Sequence, residues 1–174
     1  MTGYKFLKRG GVGTVSGLVW PRAEWVTVEG PLEECRRGVH VLRTSDLAYW
    51  LCDELWRVEY DGDVVPGTDC LIASRARLVE RVDAWSEGGG ADRFARAAYD
   101  HLVERAKSAP PDKRELLDGI ISDASKHLPR HSIALAAYCA AMGVARMGTV
   151  GEPDYRRERT WQSEWIVRDL SLDG

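Results

Sequence analysis

Nowhere in the 174 residues is there a run approaching the roughly 18 consecutive apolar residues that a bilayer span requires, and the opening MTGYKFLKRGG has no apolar stretch of the kind found in secretory leaders. Those two absences set aside membrane insertion and export, and a cytoplasmic location is expected. The four cysteines, Cys35, Cys52, Cys70 and Cys139, never form a C-x-x-C pair, which argues against a zinc knuckle or dithiol centre and predicts free, mostly buried thiols. Lysine is scarce, with five against 19 arginines, and the arginines are scattered rather than gathered into a tract. With a net charge of −3, the chain therefore lacks the clustered positive face of a nucleic-acid binder, although an arginine-lined pocket stays open. Internal repeats and low-complexity segments are also absent. What remains, 44% hydrophobic and 29% charged residues, is enough to bury a substantial core.

Composition changes at WSEGGGADRF, where Gly88 to Gly90 separate a segment rich in Val, Trp and Gly from one rich in Ala, Leu and Arg. Before that point, YKFL, EWVTVEG, GVHVL, LWRVEYDG and RLVERV are short runs bounded by Gly, Pro or Asp, the signature of strands. In WRVEYDG the alternation of Trp56, Val58 and Tyr60 with Arg57, Glu59 and Asp61 predicts one buried and one wet face. TSDLAYWLCDEL, with Thr44, Ser45 or Asp46 as N-cap and Leu47, Trp50, Leu51 and Leu55 at helical spacing, predicts a short amphipathic helix on the sheet. Trp50 is assigned to its core-facing stripe, as a structural anchor.

After the glycines the period becomes helical. ADRFARAAYDHLVERA, PPDKRELLDGIISDASKHL, HSIALAAYCAAMGVARM and PDYRRERTWQSEWIVRDL predict four helices, the third apolar nearly all round and therefore central. The fourth is expected to bury Trp161, Trp165, Ile166 and Leu170 and to present its charges to solvent. The expected fold is α+β: a small mixed or antiparallel sheet with one short helix in residues 1–86, packed on a bundle of about four helices in residues 91–174. Neither half is large enough to stand alone, so one cooperative unit is expected.

Candidate sites are few. RGGVGTVSG lacks the strand-to-helix context of a phosphate loop, because LVWPRAEW follows it, and it reads as a flexible turn. HLPRH spaces His127 and His131 four apart, but Pro129 lies between them and marks a helix junction rather than a metal site. His101, between Ala98 and Leu102 in a helical pattern, receives no role. His40 is flanked by Val39 and Val41, so an alternating strand turns it away from both: either it faces a pocket, or it lies on a wet face. In RLVERV the same alternation puts Glu80 on one face with Leu78 and Val82, where a carboxylate needs a partner or ligand; the alternative is an edge strand with Glu80 paired to Arg75, Arg77 or Arg81.

The order GVHVLRTSDLAYWL, ELWRVEYDG and SRARLVERVDAW, about residues 35 to 85, resembles the small bacterial ADP-ribosyltransferases that inactivate rifamycin antibiotics. Matching DLAYW to the family's short helix places His40 where the family carries its pocket tyrosine. The resemblance implies NAD as a substrate, an N-terminal basic residue among Lys5, Lys8 and Arg9 at the ribose, and Glu80 or Asp83 as the acid. The ending ERTWQSEWIVRDLSL is similar to the alanine-rich helices of bacterial immunity proteins, which implies an interaction role. Two functions are therefore expected as alternatives. One is a transferase-like enzyme or nucleotide-binding protein with a cleft between sheet and bundle, in which His40 and Glu80 act as catalytic groups and Arg43, Arg75 and Lys5 bind the substrate. The other is a non-catalytic partner of another protein, immunity- or antitoxin-like.

Overall fold

The computed structural model describes residues 1–128, 133–147 and 152–173. Its N-terminal lobe is built on a long hairpin, β5 (Glu54–Pro66) and β6 (Leu71–Arg81), with β1 (Thr2–Lys8) antiparallel to β5 and the short β2 (Val12–Gly13) beyond it. On the other edge of β6 lie β3 (Val26–Thr27) and β4 (Val39–Val41), both antiparallel to it. The sheet curls so far that Leu42, just past β4, exchanges backbone hydrogen bonds with Tyr4 of β1 at 2.8 and 2.9 Å.

Curling gives the sheet two buried faces. Leu7, Val41, Trp56, Val58, Ala73 and Leu78, contributed by β1, β4, β5 and β6, meet Trp20 inside the curl. Phe6, Leu55, Ile72 and Leu42 point outward onto the helices. The expected alternation in WRVEYDG is observed: Trp56, Val58 and Tyr60 are buried, and Arg57, Glu59 and Asp61 are not.

The stretch 44–55 departs from the amphipathic helix expected of it. A 3-10 helix spans Thr44–Tyr49 and stops there, because Glu54 and Leu55 are already paired to Leu7 and Phe6 as the start of β5. Tertiary pairing outweighs the local helical pattern. The start of this turn is fixed by Asp46, whose carboxylate accepts from the Arg43 backbone N–H at 3.1 Å and from Arg43 Nε at 2.7 Å.

After a single turn, α1 (Asp83–Ser86), come four helices: α2 (Gly90–Ala106), α3 (Arg114–His127), α4 (Ile133–Met147) and α5 (Glu152–Leu170). The apolar α4 is central, packing on α2, α3 and α5. The pair expected from HLPRH falls outside what is described, since His131 is not among those residues.

Helix α5 does not bury the face expected of it. Ile166 is fully buried and Trp165 and Leu170 pack at the core margin, but the strip that enters the protein also carries Asp154, Glu158, Arg159, Gln162 and Ser163. Spacings of three to four residues put them on one side of a helix. Asp154, Glu158 and Gln162 are satisfied within the bundle by Arg157, His101 and the Ala137 carbonyl, and Arg159 and Ser163 reach the other lobe. Arg159 donates to the Ala48 carbonyl and to Gln162 Oε1 at 3.1 and 3.0 Å, while Ser163 Oγ accepts from Ala48 N–H and donates to the Ser45 carbonyl, each at 3.1 Å. The apolar core is continuous as well: fully buried Trp85 stands between Phe6 (centroids 5.2 Å apart) and Phe94 (5.8 Å). Among the described residues no helix is long and apolar enough to cross a membrane.

Candidate functional site

Beyond the Tyr4–Leu42 bridge, β1 and β4 part, and a cleft of about 340 Å³ opens along the seam. One wall is the loop after β2, with Thr14, Val15, Ser16 and Leu18; the other is the segment entering β4, with Cys35, Gly38 and His40. Trp20, Trp50 and Lys5 also line it. Among the described residues none from the four long helices lines it, so it lies within the β-rich lobe rather than between sheet and bundle. The space expected between the layers is filled by Phe6, Ile72, Trp85, Phe94 and Ile166.

Lys5 sits where the two strands would otherwise hydrogen-bond. It is paired with Trp56, so it points into the curl, and its Nζ donates to the His40 carbonyl at 2.8 Å and lies 4.9 Å from the centre of the Trp20 ring. Part of its side chain meets solvent in the cleft, yet the ammonium is enclosed by protein, and burial pulls its pKa down to about 8. It makes no ion pair among the described residues.

His40 lies on the face opposite Val39 and Val41, half-buried in the cleft. Its Nε2 accepts the Cys35 backbone N–H at 3.3 Å, which places the imidazole proton on Nδ1, and its ring lies 5.2 Å from that of Trp50, tilted by 31°. Burial, and secondly the positive charge of Lys5, lower its pKa, while Glu34 opposes them; the ring is neutral at pH 7. Trp50 is held in turn by its Nε1, which donates to the Asp69 carbonyl at 2.8 Å. Half-buried, Trp50 both packs on the core, as expected of it, and presents a side to the cleft. The chain reaches β4 through Gly38 at φ 133°, where any side chain would strike Ile72 and Leu32.

The other candidates lie elsewhere. A β-bulge pairs Leu78 with Val58 but Glu80 with Arg57, so Leu78 and Glu80 fall on opposite faces rather than sharing one. Glu80 is exposed, 3.8 Å from Arg57, and does not line the cleft. Arg43 is bound to Asp46 by two guanidinium nitrogens and faces a separate groove with Tyr4, Arg57 and Asp173. Arg75 is bound to Asp61 and lies 4.7 Å from the Trp25 ring. Of the five, the structure brings together only Lys5 and His40. Among the described residues no carboxylate lines the cleft, and no group of three or more metal-binding side chains occurs anywhere.

Sequence reasoning missed Trp20, Cys35 and the 13–18 wall. A usable signal was present there: Val15 lies in the supposed flexible turn and Leu18 and Val19 directly after it, and all three are exposed. All four cysteines are free, but only Cys70 is fully buried, which raises its thiol pKa to about 11, and Cys35 is exposed. Comparisons with protein-family models, curated proteins and solved structures give no match.

Proposed function

We propose that the seam cleft binds a small molecule combining an anionic group with a flat ring, the chemistry of a nucleotide. The observation that carries this reading is the enclosed ammonium of Lys5 at the edge of a cleft that has no carboxylate among its described residues. An ammonium taken out of water without a counter-ion is expensive, and an anionic ligand would offset that cost. Trp20 and Trp50 give such a ligand apolar walls, and neutral His40, its Nε2 already engaged, orients through Nδ1–H rather than acting as a base. NAD, which the resemblance to ADP-ribosyltransferases suggests, is the first ligand to test. Binding is favoured over transfer, because an oxocarbenium-like ribosyl centre needs a nearby carboxylate and Glu80 stands on Arg57 outside the cleft.

Thermal shift with NAD, AMP, ATP and adenosine tests the reading. At 100 times Kd a ligand stabilises by about 2.7 kcal/mol, a readily visible shift. The three phosphate-bearing ligands should shift the melting point, adenosine less, and Lys5→Met should abolish the response. If no nucleotide shifts it, the second reading takes over. That reading is a protein partner seated on the cleft rim, favoured by the exposure of Val15 (64%) and Val19 (66%) beside it.

A further inference from the structure

Helices α2, α4 and α5 line a second, half-open cavity of about 330 Å³, and none of its described residues belongs to the seam cleft. One wall is organised by Glu158, only 2% exposed, whose Oε1 lies 3.1 Å from His101 Nδ1 and 3.4 Å from Gln162 Nε2. His101 is also stacked on Trp161, ring centroids 3.8 Å apart and planes 22° from parallel. An imidazole gripped at one nitrogen by a buried carboxylate and along one face by an indole has a fixed orientation. Its Nε2 makes no hydrogen bond among the described residues, and a quarter of the side chain remains exposed where it lines the cavity.

Arg105 and Arg157 stand on the same cavity. The two carboxylates among its described lining residues are already engaged, Asp154 by Arg157 through Nη2 and Glu158 by His101. Arg105 makes no ion pair among the described residues, so it is the uncompensated charge. We propose that this cavity is a second ligand site, for a phosphate group carried on a small molecule. Arg105 supplies the charge, Arg157 its remaining N–H groups, and His101 a donor at Nε2 when cationic. Three donor groups distributed around one cavity suit a tetrahedral oxyanion; a planar carboxylate is satisfied by a single arginine fork.

The test is an NMR titration of the full chain near pH 6.5 with inorganic phosphate, following the ring signals of His101 and, separately, of His40. A saturable shift of His101 is expected, equal in the wild type and in Lys5→Met, which separates this site from the seam cleft. Arg105→Gln, at an exposed position that leaves the core intact, should weaken the phosphate response about tenfold, the factor supplied by one charge-assisted hydrogen bond. Absence of a saturable His101 shift would overturn the proposal, as would unchanged phosphate binding by Arg105→Gln. An equal response to acetate would overturn its assignment to phosphate.

Discussion

Replacing Lys5 by methionine should make the protein more stable and less able to bind. In the unfolded chain the ammonium titrates near 10.4, and in the folded protein at about 8, so its charged form carries a penalty of about 3 kcal/mol at neutral pH. Methionine fills a similar volume without a charge. It also forfeits the bond to the His40 carbonyl, a loss of about 1 kcal/mol where water in the cleft can replace the donor. The expected net gain is therefore about 2 kcal/mol, measured by urea unfolding at pH 7. The pH dependence adds a signature. A folded pKa depressed below the unfolded one means that the unfolded state holds more protons between about pH 8 and 10.4, so the Lys5 contribution makes stability rise with pH across that window. The thiols of Cys52, Cys70 and Cys139, raised by burial, act in the opposite sense, so the difference between wild type and Lys5→Met is the quantity to follow. That difference should be constant below pH 8 and shrink above it. Destabilisation of the variant by 1 kcal/mol or more, or a difference independent of pH, would refute the reasoning.

Trp50→Ala should cost about 3 kcal/mol, the low end for removing a large aromatic, because the indole is half-buried and also loses its bond to the Asp69 carbonyl; chemical denaturation reads this directly. Glu80→Ala should change stability by less than about 0.5 kcal/mol and leave ligand-induced thermal shifts untouched, since among the described residues its one ion-pair partner is Arg57 at the surface. Residues 1–88 expressed alone should not unfold cooperatively in a heat-denaturation scan, because Trp85, Phe6 and the Ala48 carbonyl would face solvent without α2 and α5.

Periodicity carried the architecture. The period-2 pattern of 56–61 and the helical pattern after Gly90 each report a single dominant burial direction, and both elements lie where they were expected. Three features were not legible, each because a distant partner overrides a local pattern. Strand pairing of Glu54 and Leu55 with β1 cuts the 44–55 helix short. One bulge residue in β6 reverses the face of Glu80, and no alternation rule can place a bulge. The buried polar strip of α5 looks like a solvent face in sequence, because Arg159, Gln162 and Ser163 bond to the carbonyls of Ala48, Ala137 and Ser45, backbone groups without a sequence signature. The pairing of Lys5 with His40 follows from the curl of the sheet, a property of all its strands together.

The most direct test of the anion-binding account is the pKa of the Lys5 ammonium, followed by NMR of its side-chain carbon and nitrogen in the free protein and with a saturating nucleotide. The account predicts a value near 8 in the free protein, rising as the ligand's negative charge enters the cleft, with affinity weakening above pH 8. A free-protein value near 10.4, or one near 8 that does not move when nucleotide is added, would contradict it.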